Sequence, residues 1–205
     1  MRLELRLRQA EGNPDAVLKL VEQLVRADAL DDEQFRRLHS HACLQKLRQQ
    51  QMSLKELNEW WRRLPAEDRS QAQLVLALAD SYMALDEPDL ARTAIEAALD
   101  SNWSSELIER YGALSLADDA LTKQLAKAES WLASQPNDHL LLLTLGRLCL
   151  AKTLWGKAQN YLEASIAVQP TAVAHAELGQ LCEQLERNSE ANRHYRASLE
   201  LALAP

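Results

Sequence analysis

The stretch His39-Ser40-His41-Ala42-Cys43 holds the densest set of soft ligands in the chain. On a helix His39 and Cys43 stand at i and i+4, one above the other, so both can face one metal ion or the edge of a haem. A closed site needs more donors than that. No second ligand pair follows in the sequence, and neither C-x-x-C-H nor Cys-Pro occurs. The simpler reading is a buried Cys43 beside solvated histidines, with His39 and His41 kept as candidate contacts of a bound haem and no metal site assigned. Cys149 and Cys182 also lack metal-type spacing, and three cysteines cannot all pair within one chain. Buried free thiols in a reducing compartment are expected. His175 and His194 read as surface or packing residues. The carboxylates are scattered along helix faces, without a pair set up for acid–base work, so no catalytic residue is assigned and no enzyme is expected.

Helices must position these groups. The chain has 205 residues, 47% of them hydrophobic, with only 5 Gly, 6 Pro and 1 Phe. Leu, Ala, Glu, Gln and Arg dominate, which favours helix throughout. No stretch alternates as a strand does. The net charge of -7 argues against a general nucleic-acid surface. Arg2, Arg6 and Arg8 cluster at the start and read as a solvated helix face. No apolar run reaches the roughly 18 residues that span a bilayer, and the charged start is not a signal peptide.

A repeat sets the arrangement. Leu145, Gly146, Leu148, Cys149, Ala158, Ala164 and Ser165 return 33 residues later as Leu178, Gly179, Leu181, Cys182, Ala191, Ala197 and Ser198. A period near 33 with two helices per unit signals a helical array. Gly146 and Ala158 allow two antiparallel helices to approach closely, while Leu142, Leu145, Leu162 and Ile166 fill the space beside them. The pattern resembles the tetratricopeptide repeat, whose large residue, Leu-Gly, aromatic, Ala, aromatic, Ala and Pro places are held here by Leu142, Leu145-Gly146, Cys149, Ala158, Leu162, Ser165 and Pro170.

The expected fold is all-α, a right-handed α-solenoid of about twelve helices. Clear repeats cover about 70–101, 138–169 and 172–203. Irregular pairs cover 2–27, 31–64 and 104–134. Asn13 caps a helix that starts with Pro14. Ser53 and Glu56 form a capping box. Leu30, Phe35, Leu38, Ala42 and Leu47 are candidate core residues. Of the neighbouring Trp60 and Trp61, about 100° apart on a helix, one is expected in the core and the other covering a helix or exposed for a partner. Residues 68–85 and 88–101 form one helix pair. Leu121, Leu125, Ala128 and Leu132 share a face. No long Gly/Ser/Pro linker occurs, so 1–205 reads as a single domain with room for a joint near 102–117.

The concave face of such an array is lined by the first helix of each pair and takes extended peptides or partner helices. Repeat register places Gln73, Leu76, Asp80 and Met83 there, then Leu140, Leu143, Arg147 and Leu150, then Ala176, Gln180 and Glu183. Leu140, Leu143 and Leu150 are apolar for a solvated surface, so either a neighbouring helix covers them or they form a patch for a partner. Arg147 is placed to meet a peptide carboxylate or a porphyrin propionate.

The order of features narrows the resemblance. Leu57, Trp60 and Trp61 precede a good repeat, then a degenerate pair, then TLGRLCL, LWGKAQNYLEAS and AELGQLCEQL. This resembles the C-terminal region of the HemY family of protohaem IX biogenesis proteins of Gram-negative proteobacteria, from about Leu57 to Leu201. The resemblance implies a non-catalytic scaffold that organises late haem-synthesis enzymes such as ferrochelatase. It further implies an inner-membrane protein with this domain on the cytoplasmic side, held by an N-terminal anchor that this chain lacks. A haem or porphyrin carrier in the same pathway and a general peptide-binding adaptor are the alternatives. A flavin-dependent oxidase that shares the family's name needs a glycine-rich dinucleotide fingerprint, which this chain does not carry.

Overall fold

The computed structural model describes residues 7–8, 10–27, 29–49, 52–114 and 116–204. Arg2, Arg6 and most of the expected helix over 2–11 lie outside them. Among the described residues there are twelve helices and no strands, as an all-α fold requires. The chain divides into two compact units, one ending at Trp103 and the other beginning at Ser104.

The first unit contains α1 (Pro14–Arg26), α2 (Asp32–Gln49), α3 (Leu54–Arg63), α4 (Ala66–Arg69), α5 (Ala72–Ala84) and α6 (Pro88–Ser101). Asn13 accepts from the Ala16 amide at 3.0 Å with Pro14 behind it, so α1 starts where its cap places it. The capping box of α3 is complete, with Glu56 accepting from the Ser53 amide at 2.9 Å. Val17, Leu20, Val21 and Leu24 of α1 bury against Ala42, with Leu30, Phe35 and Leu38 partly buried beside them. In the next pair Ala79, Ala91 and Ile95 are fully buried.

Two expectations need correction in this unit. Residues 68–85 are not one helix. Pro65 starts a separate turn, α4, and α5 begins only at Ala72. Ser70 Oγ donates to the Glu67 carbonyl and Gln71 Nε2 donates to Asp68 Oδ1, and these local bonds compete with a continuous helix. Neither Trp60 nor Trp61 is a core residue. Both are half-buried with ring centroids 6.3 Å apart, Lys46 lies over Trp60, and Leu57 is the side chain that α3 buries.

The second unit contains α7 (Ser105–Gly112), α8 (Asp118–Trp131), α9 (His139–Ala151), α10 (Trp155–Val168), α11 (Ala172–Gln184) and α12 (Asn188–Leu203). Small residues set its spacing. A Cβ on Gly146 would stand 2.7 Å from Leu162 Cδ2, and one on Gly179 would stand 2.8 Å from Tyr195 Cε1. The two contacts are one repeat apart. Ser165 Oγ donates to the His139 carbonyl and Ser198 Oγ to the Ala172 carbonyl, which ties each second helix to the start of its first. The serine that departs from the usual repeat pattern is therefore a structural bond. On α8 the buried face runs through Leu121, Gln124, Leu125, Ala128 and Trp131, whereas Leu132 is only half-buried. Gln124 Nε2 donates to the Tyr111 carbonyl, and this bond holds the shorter α7 to α8.

The hairpins close alike. Asp86, Thr153 and Glu186 each have a φ near +60°. The following amides, those of Glu87, Leu154 and Arg187, donate to the carbonyls of Tyr82, Cys149 and Cys182. This is the Schellman closure, here carried by residues other than glycine.

Candidate binding clefts

In the second unit the first helices α9 and α11, with Trp155 at the start of α10, enclose a cleft of about 280 Å³ lined by Arg147, Leu150, Ala151, Trp155, Glu177, Gln180, Leu181 and Gln184. Arg147 Nε donates to Glu177 Oε1 at 2.7 Å, with both side chains about a quarter exposed. The guanidinium is thus partly satisfied within the chain. Its remaining N–H groups and the amides of Gln180 and Gln184 supply donors, while Leu150, Trp155 and Leu181 supply apolar walls. Such a cleft suits the side chains and backbone of an extended peptide. It holds no acid–base pair beside a nucleophile.

The structure gathers only part of the expected groove. Arg147, Leu150 and Gln180 share the cleft. Leu143 is buried at 3% exposure, so a neighbouring helix covers it and it is a core residue. Leu140 is half-buried outside the cleft. Glu183 is exposed and accepts from the Tyr195 hydroxyl at 2.7 Å. In the first unit Asp80 is exposed and Met83 half-buried, and of the groove positions expected there Gln73 lines the cleft around His41. Sequence register missed Trp155, Glu177 and Gln184. It pairs Arg147 with Gln180, but the side chain reaches about one helical turn earlier, to Glu177.

His39 and His41 are separated. His39 is buried, its ring 5.2 Å from Phe35. Its Nδ1 donates to Asp68 Oδ2 at 3.0 Å, a bond that fixes the tautomer. Cys43 Sγ lies 3.7 Å from that same nitrogen. In a nucleophile–base–orienter chain the two partners contact opposite nitrogens of the ring, so this trio is not one. Burial, with the Asp68 charge adding, pushes the Cys43 thiol up to about 12, so it rests as the neutral thiol. The expectation of a solvated His39 is corrected: Asp68 of α4 draws it inward. Among the described residues no group of three or more His, Cys, Asp and Glu side chains is arranged to hold a metal ion.

His41 points the other way. With Glu33, Arg36, Arg37, Ser40, Leu44, Gln71 and Gln73 it lines an open cleft of about 470 Å³ in the first unit, between α2 and the start of α5.

The remaining thiols are buried, and burial pushes Cys149 up to about 11. His175 and His194 form a pair that the sequence did not suggest. Their Nδ1 atoms are 3.1 Å apart and their ring centroids 5.3 Å apart. That near end-on arrangement is an N–H···N hydrogen bond between the two helices of the last pair. Burial moves both imidazoles below their ordinary range, and for His194 the neighbouring His175 and Arg193 add to the shift.

No protein-family model matches the chain, and no curated protein matches it. Solved structures do. The crystal structure of MamA superposes with a TM-score of 0.52 at 16% identity, covering 84% of this chain and 95% of that one. A MamA structure running from residue 41 to the end, from Desulfovibrio magneticus RS-1, superposes at 0.53 with 18% identity over 90% of this chain and 94% of the other. At such identities the likeness establishes the fold, a helical array of the tetratricopeptide type.

Proposed function

We propose that the chain is a non-catalytic protein-interaction scaffold whose binding surface is the Arg147–Trp155–Glu177 cleft. The observation that carries the proposal is the cleft itself. It combines unspent guanidinium and amide donors with apolar walls in the space between two stacked helices. The sequence resemblance supports a narrower reading, in which the partners are late haem-synthesis enzymes such as ferrochelatase and the site of action is the cytoplasmic face of the inner membrane. Purified ferrochelatase titrated into the chain tests it. Binding that weakens at least tenfold in Arg147→Glu, with the helical spectrum unchanged, supports the reading. Equal binding by both proteins assigns the cleft wrongly, and no binding by either removes ferrochelatase as the partner.

A second reading follows from the His41 cleft. An exposed imidazole beside Arg36 and Arg37 supplies a nitrogen for a haem iron and two cations for its propionates, against the one carboxylate of Glu33. His39 does not fit this role, because it is buried and does not line this cleft. A saturable Soret shift on haem addition that disappears in His41→Ala supports the carrier. Uptake unchanged by that substitution contradicts it.

A further inference from the structure

His175 on α11 and His194 on α12 occupy the places that Leu142 and Tyr161 hold one repeat earlier. Leu142 is a packed core residue, and Tyr161 bonds to Glu129 on the helix before it. A leucine and a tyrosine thus meet the packing needs of these places. Packing alone does not explain two imidazoles that face each other.

Their geometry suits a shared cation. Two nitrogens held at about 2.0–2.1 Å from one ion stand about 2.9 Å apart at a right angle and about 3.4 Å apart at a tetrahedral angle. The Nδ1 atoms of His175 and His194 are 3.1 Å apart, between these values. The rings now meet nearly end-on, with centroids 5.3 Å apart. A turn of each ring about its Cβ–Cγ bond brings both lone pairs to one point beside the N···N line.

The protons permit it. Burial keeps both imidazoles below their ordinary range, so at neutral pH an ion does not compete with an imidazolium proton. Among the described residues neither imidazole has another hydrogen-bond partner. The proton now shared between the Nδ1 atoms can therefore move through solvent to the Nε2 of its own ring, which frees both Nδ1 atoms as ligands. Glu163 on α10 and Glu190 on α12 act on His194 with negative charge, which favours a cation there, and Arg193 opposes them. Every group involved lies on α10, α11 or α12. Both rings are half-buried, which leaves the ion's remaining positions to water.

We propose that His175 and His194 form a two-histidine clamp for a divalent cation of the zinc class, which joins α11 to α12 in place of their shared proton. Imidazole nitrogen selects zinc, copper or nickel over magnesium and calcium. Neither histidine lines the Arg147 cleft, so the clamp is independent of the scaffold reading.

Calorimetric titration of zinc chloride into the full chain, first stripped of metal with EDTA, tests the proposal. Wild type is expected to take up one zinc per chain and no magnesium at the same concentration. His175→Gln and His194→Gln, each checked for an unchanged helical spectrum, are expected to bind zinc at least tenfold more weakly, whereas His41→Ala binds as wild type does. If a variant unfolds, nitrogen NMR of the wild-type imidazoles gives the answer: zinc is expected to shift the Nδ1 resonances of His175 and His194. No saturable uptake by wild type at millimolar zinc overturns the proposal. So does binding that both folded variants retain or that only His41→Ala removes, and so do Nδ1 resonances that zinc leaves in place.

Discussion

Arg147 Nε donates to Glu177 Oε1 at 2.7 Å, joining the first helices of two successive repeats. The pair both staples the stack and shapes the cleft. At about a quarter exposure for each side chain, its coupling energy is expected at roughly 0.5–1 kcal/mol. A double-mutant cycle of Arg147→Gln and Glu177→Gln in urea unfolding reads it directly. Additive effects would show that the bridge is not formed in solution.

Gly146 is expected to reject even a methyl group. An added Cβ would meet Leu162 at 2.7 Å, and Leu162 is fully buried. Gly146→Ala should therefore cost about 1–3 kcal/mol despite its better helix propensity. Gly156, near the start of α10, has no atom within 4 Å of an added Cβ. Gly156→Ala should be neutral or stabilise by up to about 1 kcal/mol. Thermal unfolding of the two variants side by side tests the contrast, and equal melting temperatures would contradict it.

These positions also show what was legible in the sequence. Gly146, Ala158 and their copies at Gly179 and Ala191 recur at one offset because close helix approach demands small residues at fixed places. That demand is local, so it shows in the sequence. The site was less visible. Leu143 and Leu150 have the same residue type, yet one is buried and the other lines the cleft, because neighbouring helices decide their exposure. Glu177 falls three residues before Gln180, the repeat counterpart of Arg147, so repeat register alone does not point to it. Asp68 draws His39 inward from a one-turn helix that reads as the start of α5. His175 and His194 lie on different helices, with no shared motif to suggest their pairing.

Thr153 adopts a φ of 56°, an unfavourable value for a β-branched residue. Its turn is held by the Leu154 amide bonded to the Cys149 carbonyl at 2.8 Å. Thr153→Gly keeps that bond and removes the clash of Cβ with the backbone, so a gain of about 1 kcal/mol is expected. Denaturant unfolding measures it. A loss of stability would show that the threonine side chain contributes contacts outweighing its strain.

The His175–His194 pair makes the last repeat sensitive to acid. Both imidazoles titrate below the ordinary value of 6.5 in the folded chain, mainly because they are partly buried. Glu163 and Glu190 oppose the shift at His194 without reversing it. The unfolded chain therefore takes up these protons first. The pair's contribution is fully present above the unfolded value near 6.5 and is lost as pH falls below it. Urea midpoints at pH 8 and pH 5 should fall further for wild type than for the His175→Gln, His194→Gln variant. Identical falls in the two proteins would rule out the pair as the cause.

The scaffold reading turns on whether the Arg147 cleft takes a protein partner. Calorimetric titration of purified ferrochelatase into wild-type chain and into Arg147→Glu, with His41→Ala as the control in the other unit, is the direct measurement. Saturable binding to wild type and His41→Ala, weakened at least tenfold in folded Arg147→Glu, is the predicted result. Binding that Arg147→Glu leaves unchanged, or that only His41→Ala weakens, would contradict it.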